Sequence, residues 1–290
     1  MHFEPLKLED MDRVRPYLTM INSKTCDYTP GCVFIWRDFY QMKGCFTELG
    51  FFSKLHNEVG EKYYNLPLSP DPEKALLALY DYASKPLRFC TVPENWLPTL
   101  QKVFPACKIE EQRDYYDYLY LASDLIGLHG KKFSGQRNQI SQFKRNVENW
   151  RYEVLNDQNL KDVKAFFLHS NFVTDPKNES AQEESRKVLE VLDHPEIYRM
   201  LGGVLYADEK VVGFSLGEIV GNTLFIHIEK ADRNVKGAYQ MVVNQAAIHF
   251  ATPEVEYINR EDDMGDPGLR TAKLAYHPVE MLKKYIVTIP

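Results

Sequence analysis

The sequence predicts an α/β (α+β) protein of two tandem domains, each a mixed central sheet flanked by helices. Two observations carry this expectation. One order of helices and strands runs through residues 158–290, and the end of that order returns in outline in the first half. Composition agrees: 290 residues, 44% hydrophobic and 13% aromatic, can fill two cores of ordinary size. The expected division is 1–125 and 126–290.

In the first half, EKYYNLPL reads as a strand, and Asp71-Pro72 opens the helix EKALLALYDYASK. Strand LRFCTV, helix NWLPTLQKVF and strand YYDYLYLA (115–122) follow. The segment GKKFSGQRNQISQFKRNVENW places Ile140, Phe143, Val147 and Trp150 on one face and reads as a linking helix. In the second half, KDVKAFFLHSNF (161–172) and AQEESRKVLEVLDH (181–194) are helices by spacing. Leu201 to Tyr206 and Val211 to Glu218 flank the polar turn ADEK as a hairpin, and TLFIHIEK alternates as a third strand. GAYQMVVNQAAIHFA puts Tyr239, Val242, Val243, Ala246, Ala247 and Phe250 on one helical stripe. Strand EVEYIN (254–259), helix GLRTAKLAY after Asp266-Pro267, and strand MLKKYIVTI complete the order.

A formal charge of −6 argues against general adhesion to nucleic acid or anionic membrane, leaving only local basic patches. Cys26, Cys32, Cys45, Cys90 and Cys107 form no C-x-x-C pair and read as reduced, buried thiols. The N-terminus lacks the apolar run of a signal peptide, and no stretch approaches the ~18–20 apolar residues of a membrane span. A soluble, cytoplasmic protein is expected.

The chemistry is expected at the ends of the central parallel strands. A strand, turn and helix aim backbone N–H groups and the helix dipole at whatever sits before the helix, an anion site by geometry. The order of elements in 158–290 resembles the GCN5-related N-acetyltransferase (GNAT) fold, in which that turn cradles the pyrophosphate of an acyl-CoA. The family's turn reads Arg or Gln, two variable residues, Gly, one variable residue, then Gly or Ala. This chain has Arg233, Asn234, Val235, Lys236, Gly237, Ala238, with Lys236 at the first glycine position. The resemblance makes Arg233, Lys236, Gly237 and Ala238 the cofactor-binding candidates. The lysine either supplies charge in place of close backbone approach or marks a turn that no longer holds CoA. The bland alternative keeps Gly237 for packing alone.

In many such enzymes the last helix carries an alanine followed four residues later by a tyrosine that acts as general acid. Ala272 and Tyr276 have that spacing, and a phenol suits protonation of a thiolate or alkoxide. A core tyrosine is the alternative. Glu229, His227, Asn259 and Glu261 end the two central strands and are candidates to manage an acceptor amine. The run Glu261, Asp262, Asp263 reads either as an acidic wall for a cationic amine or as a solvated loop, and NREDDMGDPG fails the EF-hand pattern. Lys131, Lys132, Arg137 and Lys144 form a basic stripe that contacts phosphate or simply faces water. No metal is expected, since neither H-E-x-x-H nor a paired Cys/His spacing is present.

DYYDYLYLASDLIGLHGKKFSGQRNQISQFKRN and NREDDMGDPGLRTAKLAYHPVEMLKKYIV resemble the soluble domain family related to the C-terminal part of phosphatidylglycerol lysyltransferase, strongest over 114–146 and 257–287 and compatible with VFIWRDFY. That resemblance implies two tandem GNAT-like domains, similar also to the Fem aminoacyltransferases, with an aminoacyl-tRNA as donor. It makes the protein an expected acyl or aminoacyl transferase with no covalently bound cofactor. Acyl-CoA or aminoacyl-tRNA would be the co-substrate, and tRNA or a phosphate-bearing small molecule the partner. The rival is a catalytically silent ligand-binding module on the same fold.

Overall fold

The protein's computed structural model describes residues 1–57, 59–170, 172 and 179–290. The chain forms two compact units: unit 1 is Met1–Asp117, Asp262–Pro267 and Met281–Pro290, and unit 2 is Tyr118–Glu261 and Gly268–Glu280. The contiguous division expected at 125/126 therefore differs from the observed one, because two late segments belong to unit 1.

In unit 1 the chain runs β1 (Glu4–Pro5), α1 (Met11–Leu18), α2 (Pro30–Trp36), β2 (Lys43–Thr47), β3 (Gly50–His56), β4 (Lys62–Tyr64), α3 (Pro72–Tyr82), β5 (Leu87–Pro93), α4 (Leu97–Val103) and β6 (Lys108–Glu111). Helix α3 starts as its sequence predicts. The Asp71 carboxylate accepts the Lys74 N–H at 3.2 Å, and Ala75, Leu76 and Leu79 face the core.

Next come β7 (Asp117–Leu121), α5 (Ala122–Gly127) and α6 (Ser134–Asn146). Unit 2 then repeats the order with β8 (Trp150–Val154), α7 (Leu160–His169), α8 (Glu179–Asp193), the one-turn α9 (Pro195–Tyr198), β9 (Leu201–Ala207), β10 (Lys210–Val220), β11 (Thr223–Ala231), α10 (Ala238–Phe250), β12 (Tyr257–Asn259), α11 (Pro267–Leu274) and β13 (Glu280–Leu282). Strand β14 (Lys284–Ile289) ends the series.

The two sheets are mixed and seven-stranded, in the orders β1-β2-β3-β4-β5-β14-β6 and β13-β7-β12-β11-β10-β9-β8. Each has one parallel pair at its centre, β4 with β5 and β11 with β12. Both sheets are flanked by helices, so the duplicated order of elements is a property of the fold. The last strand of each repeat is exchanged. β7 follows β6 in the chain but pairs antiparallel with β12, while β14 follows β13 but lies between β5 and β6. Alternation along YYDYLYLA and MLKKYIVTI predicts strands correctly, yet period two says nothing about which sheet a strand joins.

Strand β14 brings Lys284 into the interior of unit 1, where it is fully buried. Its ammonium lies 2.6 Å from Asp27, 2.7 Å from Asp117, 3.9 Å from Asp262 and 3.5 Å from the Cys26 sulfur. Asp117 also accepts the Cys26 N–H at 2.6 Å. Burial opposes the charge on Lys284, but the surrounding carboxylates outweigh it and hold the amine protonated. Burial and the nearby Asp117 keep the Cys26 thiol high as well, behind its contact with Cys32. Cys26, Asp27 and Asp117 have the proximity of metal ligands, with the Lys284 ammonium against all three.

Candidate active site

The site is built where β11 and β12 part. They pair over three positions, ending at Phe225 opposite Asn259, while β11 runs on to Ala231 bonded to β10. The carboxyl ends of two central parallel strands thus open a notch in the sheet of unit 2, the place where α/β sheets bind ligands. A bulge sharpens it. Leu216 pairs Ile228 and Gly217 pairs Ile226, so His227 is the extra residue on β11.

One side of the notch carries α10. Ser215 stands directly opposite Glu229, and Tyr152 reaches Ser215 at 3.4 Å while stacking near His249 and Phe250 of α10. Arg260, the residue after β12, donates from Nε (2.9 Å) and Nη2 (2.6 Å) to one oxygen of Glu229. Its guanidinium carbon lies 4.8 Å from the Tyr276 ring centroid and 5.9 Å from that of Tyr120. Tyr276 is 7% exposed, and among the described residues its hydroxyl has no hydrogen-bond partner; neither does Arg260 Nη1. Burial pushes the Tyr276 phenol up to about 12, with Arg260 pulling against it, so the hydroxyl stays protonated at neutral pH.

The other side carries α7 and α8, since Phe214 packs on Phe167 and Lys230 pairs Glu184. Here His227 lies between two carboxylates, Nδ1 at 2.7 Å from Glu261 and Nε2 at 3.0 Å from Glu218. Burial alone would favour the neutral ring. The hydrogen bonds to Glu218 and Glu261 outweigh it and push the imidazole up to about 10, making it a fixed cation at neutral pH rather than a base.

The turn 232–238 is closed on itself. Asp232 accepts the Asn234 N–H with its carboxylate (2.8 Å) and the Val235 N–H with its carbonyl (3.1 Å), and Val235 accepts from Ala238 (3.0 Å). Gly237 has φ +83°, and a Cβ there would meet the Gln139 carbonyl oxygen at 2.3 Å and Phe143 at 3.0 Å. The packing use of Gly237 is thus present: α6 lies against the turn. Arg233 and Lys236 are exposed, and Ala238 is buried.

The structure gathers Glu229, Tyr276, His227 and Glu261 around the notch and disperses the other candidates. Asn259 is fully buried and accepts the Glu261 N–H at 2.6 Å, shaping the chain as it leaves β12. The three adjacent acids do not form one wall. Glu261 belongs to unit 2, whereas Asp262 and Asp263 belong to unit 1, where Asp263 is buried against Arg113 (3.3 Å) and caps Gly265 (2.9 Å). The basic stripe is largely engaged locally. Lys132 pairs Asp124 (2.8 Å), Arg137 donates to the carbonyls of Leu128 and Gly130, and Lys144 lies over the Trp150 ring; Lys131 is exposed. Arg260, Glu218, Tyr120, Tyr152 and Ser215 were not singled out by sequence pattern. Arg260 sits inside NREDD next to a chosen residue, but its partner is 31 positions away.

Fold and notch together define a protein of two repeated mixed α/β units with a site at diverging parallel strands. Over residues 18–288 the chain matches the family described as "Phosphatidylglycerol lysyltransferase, C-terminal", and it belongs to that family. A conserved protein of unknown function from Bacteroides thetaiotaomicron is 28% identical and superposes with a TM-score of 0.88, covering 99% of both chains. The structure of L-PGS from Bacillus licheniformis is 14% identical with a TM-score of 0.65, covering 99% of this chain and 92% of that one, a likeness of fold. An uncharacterized protein of Mycoplasmoides gallisepticum is 25% identical over 177 residues, which span 60% of this chain and 56% of that protein. Family and fold point to an acyltransferase-like function. Among the described residues, no helix is long and apolar enough to cross a membrane.

Proposed function

We propose that the β11/β12 notch transfers an aminoacyl group from tRNA to an amine or hydroxyl acceptor. The observation that carries this reading is the buried, unpartnered hydroxyl of Tyr276 beside the Glu229–Arg260 pair. The acceptor heteroatom attacks the ester carbonyl, and the ester C–O bond breaks toward the ribose oxygen. Tyr276, still protonated at neutral pH, supplies the proton that the leaving oxygen needs. Arg260 Nη1 has an N–H free for the carbonyl oxygen as it gains charge. Glu229 holds the acceptor and takes the proton its heteroatom sheds as the new bond forms, and that proton is returned to the Tyr276 phenolate. A tRNA ester rather than acyl-CoA is favoured because the turn 232–238 spends amides on Asp232 and Val235 and is backed by α6.

The test is transfer of a radiolabelled amino acid from charged tRNA to added amines and hydroxyl compounds, with acetyl-CoA as parallel donor. Tyr276→Phe should lower the rate by roughly 10²–10⁴-fold while leaving the melting temperature within a degree or two, because its hydroxyl makes no bond to lose. Turnover with acetyl-CoA alone would reject the donor, and equal rates for the two proteins would reject the role of Tyr276.

The binding module remains a second reading for a specific reason. The ion pair already spans the notch, and unit 2 has a separate groove of about 530 Å³ that includes His169, Asp208, Lys210 and Asp232. Thermal stabilisation by charged tRNA without any turnover would select it.

A further inference from the structure

We infer that the corner of the first sheet where Lys43, Lys54, His56 and Lys62 meet binds consecutive phosphates of a single nucleic-acid strand. This inference concerns unit 1 and stands apart from the transferase reading. The register places these side chains on one face: Lys43 is directly opposite Lys54, and His56 directly opposite Lys62. Lys54 in turn stands opposite Tyr64, two residues from Lys62, so the three lysines occupy three adjacent strands. Like charges facing each other across strands destabilise a sheet, so a grid of this kind is a cost unless an anion joins it. No salt bridge to Lys43, Lys54 or Lys62 is formed among the described residues. Lys54 also has a lowered pKa, first from burial and then from Lys62 and Lys43.

Two further observations point to a ligand. Among the described residues, buried polar atoms at this corner lack partners: the Tyr64 hydroxyl, on a residue 3% exposed, and His56 Nδ1. Aromatic surface is interleaved with the charge. Lys54 lies 4.6 Å from the Phe3 ring centroid and Lys62 5.1 Å from that of Tyr64, while Phe3 contacts Tyr64 and the exposed Tyr82. With strands about 4.8 Å apart, the lysines span roughly 10 Å, room for two phosphates in series. A base stacks on the Phe3–Tyr82 edge, which is the combination of positive track and aromatic platform that single strands use. Net charge hides such a patch, since −6 describes the chain as a whole.

The experiment is fluorescence anisotropy of a labelled single-stranded oligonucleotide of about eight nucleotides, titrated with the full chain. Two neutralised phosphates predict a log–log salt slope near −1.4, so that affinity falls about 7-fold between roughly 50 and 200 mM salt. Lys54→Glu with Lys62→Glu should abolish binding, whereas Lys161→Glu, on exposed α7 surface, should cost much less. The milder Lys43→Gln guards against misfolding. It should weaken binding several-fold while raising the melting temperature, because it relieves repulsion. Unchanged affinity in these variants, or a fall in melting temperature for Lys43→Gln, would overturn the inference. Inorganic triphosphate competing as strongly as the oligonucleotide would also overturn it, in favour of a free polyphosphate ligand, as would preference for anionic vesicles over the oligonucleotide.

Discussion

The two units share one topology and use it differently. In unit 1 the charged groups lie deep: Lys284 is fully enclosed by Asp27, Asp117 and Asp262, and its parallel pair, β4 with β5, meets at Tyr64 and Phe89. In unit 2 the charged groups stand at the parting of β11 and β12, with Glu229–Arg260 on one side of the sheet and Glu218–His227–Glu261 on the other. A buried ion cluster closed around one ammonium is a structural device. A cluster at diverging strand ends that, among the described residues, leaves one hydroxyl and one guanidinium nitrogen unpartnered has donors to spare for a ligand. The duplicated frame therefore specialises through what fills its centre.

Three experiments would break or sharpen this contrast. The largest effect is expected for Lys284→Met, which leaves buried carboxylates without their cation and should cost about 3–5 kcal/mol in chemical denaturation. A loss below about 1 kcal/mol would mean that the cluster is not what holds unit 1 together. Gly237→Ala comes next. It forces a side chain into left-handed backbone and onto the Gln139 carbonyl, for an expected loss of roughly 2–3 kcal/mol. If instead the variant is neutral and gains affinity for an acyl-CoA, the turn is an anion site after all.

The third test is a slope with pH. His227 is raised from its ordinary value to about 10 in the folded state, so its contribution is complete below the unfolded value near ~6.5 and is lost as pH rises toward 10. Denaturation midpoints should fall through that window in the native chain, and His227→Gln should flatten the fall. An unchanged slope would assign the pH dependence to other groups.

Much of this architecture was readable from spacing. The stripe in GAYQMVVNQAAIHFA buries Val242, Val243, Ala246, Ala247 and Phe250, and the face of Ile140, Phe143 and Val147 is buried along α6 and just beyond it. What spacing could not reach depends on partners distant in sequence. Sequence makes Glu229 a candidate to manage an acceptor amine because nothing near it reveals Arg260. Gly237 looked like half of a phosphate turn because Gln139, the residue that needs its missing Cβ, lies almost a hundred positions earlier. The sequence pattern assigns no hairpin to β2 and β3, although GCFTELGFF carries apolar residues around a turn ending in Gly50, and it merges β8 with the end of the basic segment. Charge runs misled most, since EDD looks continuous on paper while Glu261 and Asp263 have separate partners.

The exchanged strands impose an order on biogenesis. Unit 1's sheet keeps a gap between β5 and β6 until residues 284–289 leave the ribosome, even though every other strand of that sheet is complete by residue 111. Two strand edges and two carboxylates, Asp27 and Asp117, must wait, through the synthesis of all of unit 2, for one lysine-bearing segment to close them. The nascent chain is therefore exposed to mispairing for most of its translation, and a stop codon only a few residues before Lys284 would unmake the domain that was translated first.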